Sequence, residues 1–165
     1  MLEAIVRGFA TIVPQRQLCL FTWEEVEMMV VGSPTIDLAL LRSVTEYSGC
    51  RADDKHVKFF WQALKEFTHE ERTAFLRFTW GRTRLPLNKD QFPQRFKLQS
   101  FSKSPPDSYY PIAHTCFFSL ELPAYTTLEI CKEKLRYAAF NCSAIDGDDT
   151  DVGIAAAEMG WEDDD

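Results

Sequence analysis

The feature that most constrains the fold is a change of hydrophobic period just after "GRTRLPLN". Before it, apolar residues recur at helical spacing. After it, "RFKLQSF" sets Phe96 and Leu98 against polar neighbours, and "CFFSLEL" sets Phe118, Leu120 and Leu122 at alternate positions. A helical stripe and a two-residue alternation cannot serve the same element, so the pattern predicts helices first and then two strands. Pro123 ends the second strand. Thr126 with Glu129 reads as a capping box opening a helix whose Leu128, Cys131, Leu135, Ala138 and Cys142 share one stripe. The expected class is α+β, a small sheet packed with helices, with further helices in front of it.

The helical part divides in the same way. Leu2, Ile5, Val6, Phe9 and Val13 form an amphipathic pattern up to Pro14, and a second helix starts from a Thr22–Glu25 capping box and stops at Gly32. "GSPT", Gly32 to Thr35, reads as a turn or hinge, followed by a short helix over Ile36–Val44. Val57, Phe60, Trp61, Leu64 and Phe67 make one broad apolar face, and Thr68 with Glu71 caps a further helix through Phe75, Leu76 and Phe78 that closes near Gly81. Trp61 and Trp80 suit packing better than ligand stacking, and His56 and His69 read as solvated surface groups. "SKSPPDSYYP" is a loop by its Ser and Pro content.

With 165 residues, 45% of them hydrophobic, the chain can form one globular domain, or one domain and part of another. No apolar run approaches the roughly 20 residues that cross a bilayer, so membrane insertion is not expected. "MLEAIVRGFATIVP" lacks the basic start and small-residue cleavage site of a secretory signal, which predicts a reducing compartment, the cytoplasm or also the nucleus. The net charge of −7, with acid concentrated in "DGDDTD" and "WEDDD", argues against a nucleic-acid partner. Residues 146–165 are expected to form a flexible acidic tail in which Ile154, Met159 and Trp161 are available to dock as a short helix.

Cys19, Cys50, Cys116, Cys131 and Cys142 show neither a CxxC pair nor a zinc-ligand spacing, so no metal site or disulfide framework is indicated. Cys131 and Cys142 fall on a helix stripe and Cys19 in apolar "LCLF", where burial is the ordinary fate of a thiol. Cys50 follows Gly49 in a turn. Cys116, in "IAHTCFFSLELP", admits two readings: a small buried hydrophobe at a strand entrance, or a nucleophile. In extended chain, His114 would project to the same side as Cys116, and an imidazole beside a thiol can take its proton. Arg82 and Arg84 in "GRTRLP" suit an anion or an ordinary hydrogen-bonded loop.

Taken in order, "TEYSG", "FW", "GRTRLP", "HTCF" and "LPAY" resemble the successive motifs of the HECT family of E3 ubiquitin ligases, over about residues 1 to 149. The resemblance implies a two-lobed arrangement: residues 1–31 as the last helices of the larger lobe, 32–35 (Gly32, Ser33, Pro34, Thr35) as the inter-lobe hinge, and 36–145 as the catalytic lobe. It implies that Cys116 accepts ubiquitin from a charged E2 enzyme as a thioester and passes it to a lysine of a protein substrate, with no metal or organic cofactor. His114, Thr115 and Phe117 match positions beside the nucleophile, and Arg84 matches a family arginine with an orienting role. Phe118 stands where the family often has Asn, which is similar to very large members carrying RCC1-like repeats. Ile145 stands where the family commonly has a docking Phe. The E2-docking region of the family lies upstream of these residues, so the expectation is a fragment, a short gene model or a chain without autonomous E2 recruitment.

A competing reading keeps the fold without the chemistry: a module that binds ubiquitin or a partner chain and forms no productive thioester. A third, an unrelated thiol hydrolase, lacks an Asn or Asp evidently placed to orient His114.

Overall fold

The computed structural model describes residues 2–13 and 15–141; Pro14, Cys142, Ile145 and residues 146–165 lie outside the described residues. Three helices open the chain: α1 Leu2–Ala10, α2 Gln15–Leu18 and α3 Trp23–Val31. The cap of α3 is the expected one. Glu25 N–H donates to Thr22 Oγ1 at 3.2 Å, and Thr22 N–H donates to the Glu25 carboxylate at 2.7 Å. Neither α1 nor α3 buries a residue, and Leu2, Phe9, Trp23 and Val30 stand exposed. Their amphipathic pattern therefore has no surface here to satisfy it. Cys19 is likewise exposed, against the expectation of burial, because these helices enclose no core.

Gly32 ends α3 at φ +99°, and a Cβ at this position would run into the Leu85 carbonyl. That carbonyl accepts the Ser33 N–H at 2.9 Å, which ties "GSPT" to "GRTRLP". Next comes α4, Leu38–Ser43, shorter than the span Ile36–Val44 because Asp37 caps it. Its carboxylate accepts from the N–H groups of Ala39 and Leu40 at 2.8 and 3.1 Å.

Then follow β1 Thr45–Ser48, α5 Lys55–Glu66, α6 His69–Trp80, β2 Phe96–Ser100, β3 Ile112–His114, β4 Ser119–Leu122 and α7 Leu128–Asn141. The sheet order is β1-β2-β4-β3, with β1 parallel to β2, β2 parallel to β4, and β3 antiparallel to β4. The α+β class holds. β1 and β3 are edge strands of four and three residues, too short to display a period in sequence.

α7 packs on α5 and α6. Val57, Phe60, Trp61, Leu64 and Phe67 are all buried, as are Phe75, Leu76 and Trp80 from α6 and Phe96, Leu98, Leu120 and Leu122 from the sheet. Each such side chain contributes about 1.5–3 kcal/mol relative to exposure. The third expected capping box does not form. Thr126 instead gives its N–H and hydroxyl to the Asp107 carboxylate, at 2.9 and 2.6 Å, and α7 begins behind Thr127, whose Oγ1 accepts the Ile130 N–H at 3.3 Å. Asp107 comes from the "SPPD" loop, so a tertiary contact displaces the local cap. No helix among the described residues is long and apolar enough to cross a membrane.

Candidate active site

The segment around Cys116 departs from the expected strand. β3 stops at His114, Thr115–Phe117 form one turn of 3-10 helix, and β4 starts only at Ser119. The two-residue period that would align His114 with Cys116 ends before the cysteine, so that alignment does not hold. The reversal is closed by Phe118, whose N–H donates to the Thr115 carbonyl at 3.3 Å in left-handed backbone geometry, φ 45° and ψ 54°. A side chain other than glycine costs on the order of 1–2 kcal/mol there. Packing offsets this cost: the Phe118 ring is fully buried, stacked on Trp80 at 4.1 Å and tilted against Phe96 at 4.9 Å. Its carbonyl accepts the Lys97 N–H at 3.0 Å, fixing the turn to β2.

With Phe118 anchored inward, the turn before it faces out. Cys116 is exposed and Phe117 is 67% exposed, while Thr115 is half-buried. The reading of Cys116 as a buried hydrophobe is thereby overturned. Cys131, by contrast, is buried, and burial pushes its thiol up to about 12. Cys50 is half-buried, its Sγ donating to the Leu98 carbonyl at 3.5 Å; burial and then the Asp54 carboxylate raise its pKa.

His114 lies on the outer face of the sheet. The register pairs Ile112 with Glu121 and His114 with Ser119, so His114 and Glu121 are diagonal neighbours on one face. The imidazole Nε2 is 3.0 Å from a Glu121 carboxylate oxygen. A hollow of about 250 Å³ beside them is lined by Lys97, Gln99, His114, Phe117 and Ser119. Sequence reasoning missed Glu121, Lys97 and Gln99. The signal was the outward half of the alternation in β2 and β4, whose inward half had served to identify the strands.

Arg84 donates to the Glu27 carboxylate of α3 at 2.9 Å, next to the Leu85 carbonyl that holds Ser33. Arg82 lies over the Trp80 ring at 4.6 Å, a cation–π contact. His69 is exposed as expected. His56 is half-buried rather than solvated, and desolvation lowers its pKa against the opposing pull of Asp54.

An outward thiol on a strand-to-strand turn, directly after a strand whose last residue forms an imidazole–carboxylate pair, suits nucleophilic chemistry without naming a substrate. Comparison with known proteins supplies the family. The family model described as "HECT-domain (ubiquitin-transferase)" matches residues 1–146. The chain belongs to the HECT-domain family. Among curated HECT relatives, it is 46% identical over 148 residues to E3 ubiquitin-protein ligase HERC2 of Mus musculus, an alignment covering 88% of this chain and 3% of that protein. E3 ubiquitin-protein ligase HUWE1 of Mus musculus is 35% identical over 86% of this chain and 3% of its own length. E3 ubiquitin-protein ligase RSP5 of Chaetomium thermophilum is 34% identical over 82% of this chain and 17% of its own length. The chain thus spans only a small part of these HECT relatives.

Proposed function

We propose that this chain carries ubiquitin as a thioester on Cys116 and transfers it to a substrate lysine. The observation that supports this most is the outward position of Cys116 on the turn anchored by Phe118, within the segment matched by the HECT family model. The Cys116 thiolate attacks the thioester carbonyl of a ubiquitin-charged E2 enzyme. A C–S bond forms to Cys116 and the E2 thiolate leaves. A lysine amine then attacks the same carbonyl, an isopeptide bond forms, Cys116 leaves as thiolate, and the amine proton passes to a base. His114 takes part as a proton acceptor, while Thr115 and Phe117 shape the approach to the thiol.

Residues 1–31 belong, in this reading, to a larger lobe. Two observations support it: α1 and α3 bury nothing, and the chain spans 3% of its HERC2 and HUWE1 relatives. Gly32–Thr35 act as the inter-lobe hinge, and Arg84 orients α3 across it through Glu27.

The test mixes the chain with ubiquitin, E1 and a range of charged E2 enzymes, alone and fused behind the upstream part of a HECT domain, with gels run with and without reductant. A reductant-sensitive adduct lost in Cys116→Ala and kept in Cys131→Ala is the expected result. Ubiquitin binding with no adduct in either form would replace this reading with the non-catalytic module.

A further inference from the structure

We infer that Glu121 is a positioning residue that sets which nitrogen of His114 is free to take a proton; the inference rests on the proposed role of Cys116 and deepens it. A neutral imidazole carries one N–H and one lone pair, and the partner of one nitrogen decides the role of the other. Here the Glu121 carboxylate can only accept, and it lies 3.0 Å from His114 Nε2. The proton therefore resides on Nε2, and Nδ1 keeps the lone pair. The geometry is built into the sheet: the β3–β4 register holds the two side chains on one face as diagonal neighbours, one residue before the turn that carries Cys116. Ser119, directly across from His114, is buried, so the imidazole is backed on that side by packed sheet.

Two other groups face this pair. Lys97 and Gln99 line the same hollow from β2, and both can donate hydrogen bonds. Gln99 also carries an amide oxygen and Ser119 a hydroxyl oxygen, but the acceptor placed against Nε2, at 3.0 Å, is the Glu121 carboxylate.

The experiment uses the full chain in three forms: unsubstituted, Glu121→Val, which removes the acceptor in a residue suited to a strand, and Glu121→Gln, which keeps an acceptor without the charge. Long-range proton–nitrogen NMR correlations on the His114 ring, assigned by their loss in His114→Gln, report the tautomer. Peptide-resolved iodoacetamide alkylation reports the reactivity of Cys116 without any ubiquitin. In the unsubstituted chain the Nε2–H tautomer should dominate. Glu121→Val should populate both tautomers and slow Cys116 alkylation by about tenfold, a fraction of what a general base typically supplies. Glu121→Gln should keep the Nε2–H form and stay within about threefold, which a merely structural role for the side chain would not predict. An unchanged tautomer in Glu121→Val, or equal alkylation rates in all three forms, overturns the inference even if Cys116 carries ubiquitin. A tautomer and an alkylation rate that respond as stated support it, including in a chain that never forms the ubiquitin adduct, where the proposed function alone would have failed.

Discussion

Two helices of this chain begin with the same device and have opposite fates. α3 and α6 both open with a reciprocal Thr–Glu cap, Thr22 with Glu25 and Thr68 with Glu71, at the same 3.2 and 2.7 Å. Each is followed by a positive-φ glycine, Gly32 and Gly81. Yet α6 buries Phe75, Leu76, Thr79 and Trp80, whereas α3 buries nothing. Caps are satisfied within four residues and form wherever the local sequence specifies them. Burial needs a second surface, and the described residues provide one to α6 and none to α3. A cap contributes about 1 kcal/mol and a buried aromatic several times that.

The sharpest test of this contrast uses one tryptophan from each helix. Trp80 is 7% exposed and Trp23 is 73% exposed. Trp80→Ala should cost about 3–5 kcal/mol in urea unfolding, because it also removes the stacking partner of Phe118 and Phe92. Trp23→Ala should stay within about 0.5 kcal/mol. Equal losses would mean that α3 is packed in solution and would break the comparison.

A smaller effect is expected at Phe118. Phe118→Asn places at φ 45° a residue that tolerates left-handed backbone, but it puts an amide against Trp80 and Phe96. The packing loss exceeds the strain relieved, and a net loss of about 1–3 kcal/mol in the same unfolding measurement is expected. A stabilised variant would show that the strain, not the stack, dominates the turn.

Phe118 also shows where sequence reading stops. Its inward side was legible from the alternation with Leu120 and Leu122, and so were the core faces of α5, α6 and α7. Its left-handed backbone was not, since the sequence marks such geometry through Gly or Asn, and here a stack of rings imposes it. For the same reason the turn at Thr115–Phe117 carries no turn signal of its own and shares the alternation of the strand that follows it. β1 and β3 escaped notice because three or four residues carry no period. Glu121 was invisible as a partner of His114 until the register was known, because the diagonal contact depends on the pairing of two strands.

The two capping glutamates stand on opposite sides of the same divide, Glu71 on α6 and Glu25 on α3. Burial acts to raise the Glu71 pKa, but the N–H of Thr68 and the guanidinium of Arg136 outweigh it and hold the carboxyl below its ordinary value of 4.5. A carboxylate with a depressed folded-state pKa contributes fully above the unfolded value, and its contribution is lost as pH falls through the folded one. Unfolding monitored from pH 6 down to pH 3 should therefore steepen below about 4.5 in the unsubstituted chain and less so in Glu71→Gln, which should itself cost about 1 kcal/mol at neutral pH. Glu25→Gln should leave the global transition unchanged. A pH response carried equally by Glu25 would place α3 in the cooperative unit.

The smallest effect belongs to an ion pair that joins the two regions, Arg84 with Glu27. Its side chains are 26% and 41% exposed, so solvent screens the pair and Arg84→Ala should cost less than about 1 kcal/mol of global stability. Its consequence is local. The Ser33 N–H, donated to the Leu85 carbonyl, sits directly after α3, and the Arg84 guanidinium restrains that helix against the segment bearing this carbonyl. Arg84→Ala should therefore speed amide exchange at Ser33 and along α3 while leaving exchange in α5, α6 and the sheet unchanged, because regions outside the cooperative core open with their own, smaller free energies. If exchange at Ser33 and along α3 speeds no more than in α5, α6 and the sheet, the ion pair does not restrain α3, and the bridge at Leu85 holds the two parts together without it.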